Sequence, residues 1–234
     1  IGLGIPAEPL FRSRSVFNAT NLAENTTYDF YVRPSCGTDG FGPWSNVFTF
    51  TTPCAPIAVT KYDHYIYGFE DATGSGAANT INSCWAKGTN SSTRYPYPAA
   101  TASYLSANTN PITPTNNYYL YMYGTTTYYS YAVLPVFSNP LNTLQLTLKA
   151  MRTSSTSTYG VLQIGYMTDP TDISTFVSVQ QVQPDYVASP NYNWQSFTTF
   201  YDNVEAPAGA RLAFRAPALG TDYVYVDDIE VMPI

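Results

Sequence analysis

Two adjacent carboxylates interrupt the last alternating segment of the chain. Val224 and Val226 share one face of that segment and Ile229 and Val231 share one, but strict period two sets Ile229 opposite Val226. For both pairs to point inward, one extra residue must be absorbed at Asp227-Asp228. That is a β-bulge, a feature that re-aims side chains and often adjoins functional sites. Clustered carboxylates repel one another unless protons or a cation compensate. Calcium, which takes roughly six to eight oxygen ligands, suits such a loop-edge position. The plainer alternatives are solvated strand ends, or pairing with Arg215.

The remaining reactive side chains do not assemble into a catalytic set. His64 is the single histidine, so any Ser-His-Asp or Cys-His system must use it. It stands two residues from Tyr62 and Ile66 and reads as an ordinary strand position. Cys36 and Cys84 have no neighbouring base to activate them, and the three cysteines form neither a CxxC nor a zinc pattern. Gly74-Ser-Gly76 lacks the Lys and the helix of a phosphate loop. No second acid in a distinct environment suggests a glycosidase pair. The expectation is a protein that is not an enzyme.

Tyrosines offer a different chemistry. In the segment 118–123, Tyr119, Tyr121 and Tyr123 share one face while Tyr118, Leu120 and Met122 share the other, which is the better core candidate. The all-Tyr face is expected to be a solvent-facing ligand platform, continued by Tyr129 and Tyr131 across a hairpin over Gly124–Thr127. Rings with polar tips suit interfaces that are apolar at one end and wet at the other. The alternatives are that cross-strand tyrosine pairs merely stabilise an exposed sheet, or that the loop Tyr95-Pro-Tyr97 makes the contact.

Composition says what must position these groups. The 234 residues are 11% charged and 16% aromatic, with 22 tyrosines. Such β-branched and aromatic content suits pleated sheets, and nothing long repeats at helical spacing. A net charge of −6 without a Lys/Arg cluster argues against nucleic acid and anionic membranes as partners. No apolar stretch approaches the roughly 20 residues that span a bilayer. Alternation runs through Tyr28, Phe30 and Val32, returns at Phe48 and Phe50, and recurs from Tyr65 to Val226 between turn signals. The chain is expected to be all-β, a sandwich or barrel.

The segment Leu22-Ala-Glu-Asn-Thr-Thr-Tyr28 resembles the tyrosine corner of fibronectin type III modules, and Trp44-Ser45 with Val47–Thr52 resembles their last strand. Residues 1–53 hold about the last three strands of such a module. The resemblance therefore implies that Phe30, Val32, Phe48 and Phe50 expose an apolar face, to be completed by strands of an upstream fragment or a neighbouring chain. Pro53-Cys-Ala-Pro56 reads as a short stiff linker. Beyond it, Phe69-Glu-Asp71, Cys84-Trp85, Ala132–Pro135, Ile164–Pro170 with Phe176, Leu212–Arg215 and Tyr225–Ile229 follow in the order seen in the MAM-like, cleaved-adhesin jelly-roll domain of Bacteroidetes surface proteins. This second resemblance implies a partial fibronectin type III sandwich (1–53) followed by a jelly-roll β-sandwich (55–234), at the cell surface or secreted. The implied role is adhesion to, or binding of, a surface glycan or protein, the alternative being a spacer in a filament or in a larger secreted hydrolase. In such jelly rolls the first and last strands run side by side, so Glu70 is expected to meet Asp227 and Asp228 and hold structural calcium.

The cysteines follow from this organisation. Cys36 sits at the hairpin end of its strand, while Cys54 follows the far end of the partner strand. Antiparallel pairing thus separates them beyond the roughly 7 Å Cα limit of a disulfide. Cys54 and Cys84 both lie near the start of the second domain and are the better pair, in an exported setting that lets the bond form.

Overall fold

The structure is a computed structural model that describes residues 18–72, 81–92, 95–112, 117–156, 158–220 and 222–234. The chain divides into two compact units, residues 1–53 and 54–234. In the first, β1 (Thr27–Phe30) and β2 (Phe48–Thr51) pair antiparallel, with Tyr28 opposite Phe50 and Phe30 opposite Phe48. Tyr28 Oη accepts the Ala23 N–H at 2.8 Å, fixing the bend that leads into β1. The Arg33 guanidinium stacks on Phe41 and Trp44, 4.0 and 4.5 Å from their ring centroids. The face carrying Phe30 and Phe48 is exposed; Phe48 keeps 66% of its surface.

The second unit is an antiparallel β-sandwich, as the alternation requires. Its first strands are β3 (Tyr65–Tyr67), β4 (Ala86–Thr89) and β5 (Tyr97–Ala99), followed by one helical turn, α1 (Ala102–Leu105). Then come β6 (Tyr119–Gly124), β7 (Ser130–Val133), β8 (Leu144–Met151), β9 (Leu162–Met167) and β10 (Val177–Val182). The last are β11 (Gln195–Phe200), β12 (Arg211–Ala216) and β13 (Asp222–Pro233). One sheet has the order β10-β9-β12-β7-β4; the other runs β11-β8-β13-β6-β5, with β3 paired to the second half of β13. The first and last strands of this unit are thus neighbours.

Period two sorts the side chains. Leu144, Leu146 and Leu148 of β8 point into the core, against Leu162 and Ile164 of β9, Leu212 and Phe214 of β12, and Val224, Val226, Ile229 and Val231 of β13. Tyr201, fully buried, donates to the Gly165 carbonyl at 2.9 Å and so ties the end of β11 to the opposite sheet. Cys54 and Cys84 are joined by a disulfide (S–S 2.05 Å), and Cys36 is an exposed free thiol.

One expected pairing is corrected. β6 and β7 do not form a hairpin: β6 pairs with β5 and β13, whereas β7 pairs with β4 and β12 in the other sheet. The turn between them crosses the sandwich, held by Thr125 Oγ1, which accepts from the N–H groups of Thr127 and Tyr128. Gly124 permits the crossing, because a Cβ there would lie 2.4 Å from the Pro217 carbonyl oxygen. The inner faces of the two strands, Leu120 and Met122 against Ala132 and Leu134, belong to one core. Alternation specifies which way side chains point along a strand and leaves the choice of partner strand open.

Candidate functional site

The bulge falls where the alternation puts it. The register between β13 and β8 shifts between Asp227 and Glu230, and Asp228 adopts φ 48°. Its effect is to turn both carboxylates onto the outer face of the six-stranded sheet, where residues 108–112 cover them. Asp227 and Asp228 are 1% and 2% exposed. Asn108 Nδ2 donates to both, at 3.1 and 3.0 Å, and the N–H of Ile112 donates to Asp228 Oδ1 at 3.0 Å. Asp227 Oδ1 accepts the Asp228 N–H at 2.8 Å.

The counter-charge is Lys149 of β8, not Arg215. Its Nζ lies 2.9 Å from Asp228 Oδ2 and donates to Asn108 Oδ1 at 2.7 Å and to the Asn110 carbonyl. The register explains the choice, since Lys149 stands directly opposite Asp227. Arg215 lies in the other sheet. Glu70 is close enough for its charge to act on Asp227, but its carboxylate accepts the Asn117 N–H at 3.0 and 3.1 Å. Burial, then the charge of Asp228, push the Asp227 carboxyl up to about 8, against the pull of its hydrogen bonds. Among the described residues no three acidic, imidazole or thiol side chains converge closely enough to hold a metal by themselves.

The five tyrosines do not form one platform. Tyr119, Tyr121 and Tyr123 face outward from the six-stranded sheet, but α1 and the segment 192–194 lie over part of it. Tyr119 is buried among Tyr104, Tyr225 and Trp194, and Trp194 Nε1 donates to the Tyr104 carbonyl at 2.8 Å. Tyr121 is half-buried in a stack, 4.7 Å from both Tyr97 and Tyr223, with Tyr123 5.0 Å beyond Tyr223. Tyr129 and Tyr131 belong to the opposite side of the sandwich, because β7 lies in the other sheet. His64 donates from Nδ1 to Glu230 Oε1 at 2.8 Å. That hydrogen bond is the chief reason its pKa is raised.

Sequence reading missed the arrangement around Tyr131. Register aligns Gln181 of β10, Gln163 of β9, Arg215 of β12, Tyr131 of β7 and Gly88 of β4 in one row across the outer face of the five-stranded sheet. Arg215 Nε donates to Gln163 Oε1 at 2.6 Å, and Gln163 Nε2 donates to Gln181 Oε1 at 3.1 Å. The Tyr131 ring lies over Gly88, where a Cβ would meet its hydroxyl at 2.3 Å. Phe176 stacks on the Arg215 guanidinium at 4.6 Å, and half-buried Tyr129 adjoins Tyr131 at 6.4 Å. The result is a face with fixed donors and acceptors beside aromatic rings. Gln163 and Arg215 alternate with the core residues Leu162, Ile164, Phe214 and Ala216, so the sequence marks them as outward-facing but not as neighbours.

No protein-family model matches the chain, and no curated protein does. Solved structures match it. A cleaved adhesin domain of Lys-gingipain is matched over 73% of this chain and 98% of its own, with TM-score 0.51 and 12% identity. Another cleaved adhesin domain of Lys-gingipain, from Porphyromonas gingivalis, gives 0.49 and 13% over 73% and 98%. A family 11 carbohydrate-binding module from Clostridium thermocellum, in complex with a mixed-linked tetrasaccharide, gives 0.41 and 11% over 73% and 95%. The likeness is one of fold: this chain builds an antiparallel β-sandwich with the fold of that cleaved adhesin domain.

Proposed function

We propose that the protein is a non-catalytic module, at the cell surface or secreted, that adheres by binding a glycan, and that the outer face of the five-stranded sheet makes the contact. The observation that carries this reading is the row Gln181–Gln163–Arg215–Tyr131, in which the two glutamines and Arg215 are fixed by one another beside the partly open ring of Tyr129. Preset donors and acceptors lose little entropy when a hydroxylated ligand docks, and an aromatic ring supplies apolar area for a sugar face. Two further facts support a binding role over catalysis. His64 is engaged with Glu230, and Asp227 and Asp228 are buried under residues 108–112. The Cys54–Cys84 disulfide fits an exported setting. The expected result on immobilised polysaccharides is retention of the wild-type protein, weakened several-fold by Tyr129→Ala and unchanged by Tyr97→Phe on the other sheet. Failure to bind any glycan, or indifference to the Tyr129 change, sinks the reading.

In the same reading Glu70, Asp227 and Asp228 hold a structural calcium ion. The donor set is all oxygen, which suits a hard cation. Asp227 and Asp228 share the single ammonium of Lys149, and burial first, then the charges of Asp228 and Glu70, disfavour the charged form of Asp227. Bound calcium would supply that charge and pin the bulge. Ligand linkage then requires millimolar calcium to raise the melting temperature by several degrees and excess EDTA to reverse the rise. A melting temperature indifferent to both withdraws the ion and leaves the glycan reading intact.

A further inference from the structure

Arg215 stands in the middle of the five-stranded sheet, and no carboxylate among the described residues answers its charge. The ion pairs among the described residues are His64–Glu230 and Lys149–Asp228, and Arg215 is in neither. A half-buried guanidinium without a carboxylate is an unusual thing to keep, because partial desolvation of a charge is unfavourable unless something compensates. Its Nε is occupied by Gln163, which Gln181 holds in turn. One flat face rests near Phe176. What is left is the outer edge, the two Nη groups, a fork whose geometry matches the two oxygens of a carboxylate.

Two acids whose charges reach Tyr131 each use one oxygen within their own loop and make no ion pair with Arg215. Asp169 Oδ1 accepts from the N–H and the hydroxyl of Thr171, at 2.8 and 2.7 Å, and Asp172 Oδ1 accepts the Ser174 N–H at 2.9 Å. Both serve their own loop. The chain as a whole carries −6, so this open fork is set against the prevailing sign of the protein. A neutral sugar would need hydroxyl partners, which the glutamines already provide. The fork is an added feature that discriminates by charge.

Resting on the glycan reading above, we propose that this face selects acidic saccharides, those carrying a uronic-acid carboxylate, with the carboxylate held by the Nη edge of Arg215 and the sugar ring against Tyr129. Gln163 is then a positioning residue: by taking Nε it turns the Nη edge outward.

Titration calorimetry with oligogalacturonate and with a neutral galacto-oligosaccharide of equal length tests this. Wild-type protein is expected to bind the acidic oligomer at least about tenfold more tightly, with an advantage that shrinks as salt is raised. Arg215→Gln should lose about 10- to 100-fold in affinity for the acidic oligomer, the scale of a charge-assisted hydrogen bond, and little for the neutral one. Arg215→Lys keeps the charge without the fork and should fall between; it also serves if the glutamine variant does not fold. Gln163→Leu should weaken binding of the acidic oligomer more than that of the neutral one, because it removes a hydroxyl partner from both but frees the guanidinium only for the acidic one. Equal affinity for both oligomers, or acidic binding indifferent to Arg215→Gln and Arg215→Lys, overturns the proposal while the glycan reading stands. Binding of neither oligomer, with other neutral glycans retained through Tyr129, overturns it as well. If no glycan of any kind binds, the reading beneath it fails.

Discussion

In metal-free buffer, Lys149→Met is expected to destabilise the protein by about 3–5 kcal/mol, the range for breaking a buried ion pair by removing one partner. The Asp228 side chain is 1% exposed and Lys149 15%, so water cannot take over the role of the ammonium. Three oxygens would lose their donor at once: Asp228 Oδ2, Asn108 Oδ1 and the Asn110 carbonyl. Because Asn108 also bridges the two aspartates, the segment 108–112 should loosen from β13, and its amides should exchange faster with solvent. Asp228→Asn introduced into the Lys149→Met protein should recover more than half of the loss, since the unpaired charge is then gone. Urea unfolding measures all three variants. A Lys149→Met protein within about 1 kcal/mol of wild type would mean that the pair is effectively solvated and the cluster is not held by charge.

The second large effect concerns the disulfide. Cys54 and Cys84 close a loop with a sequence separation of 30. In the chain-entropy treatment a loop of that length stabilises the folded state by about 3–4 kcal/mol, by restricting the unfolded one. Changing both cysteines to serine should lower stability by that amount. Cys36→Ser is the internal control: its thiol is exposed and lies in the other unit, so no change is expected. An unfolding midpoint that is the same for the double serine variant as for wild type would show that the unfolded chain is already constrained around residues 54–84.

How far the sequence reaches can be judged element by element. Alternation in 144–149, 162–166 and 224–231 gave the strands, their inward residues and the bulge at Asp227-Asp228, because period two is a local property of the backbone. The choice of Cys84 as partner of Cys54 rested on domain order and strand direction, both of which can be read in one dimension. What alternation cannot give is adjacency. Tyr121 and Tyr129 sit close in sequence yet on opposite outer faces of the sandwich, because the turn after Gly124 changes sheet. Lys149 meets Asp227 through a pairing between β8 and β13 that no local pattern announces. The row from Gln181 to Gly88 draws on five strands whose order, β10-β9-β12-β7-β4, keeps only β9 and β10 as chain neighbours. A side chain's face is written locally, but its neighbours depend on sheet order.

The position of the disulfide also bears on how the molecule carries load. Cys54 is the first residue of the second unit, and its sulfur is bonded to Cys84. A pull arriving along the chain from residue 53 meets that bond at once, so tension passes from Cys54 to Cys84 through sulfur and onward to β4. Residues 55–83, including β3 and the segment at Ile57 that bridges to Phe137, lie on a side loop that bears no force while the bond is intact. Glu70 belongs to that loop and β3 pairs with the second half of β13. The edge of the sheet next to the acidic cluster is therefore sheltered from traction on the upstream unit. Reduction would put it in line with the pull, so the redox state of one bond decides whether the chain yields first at this edge.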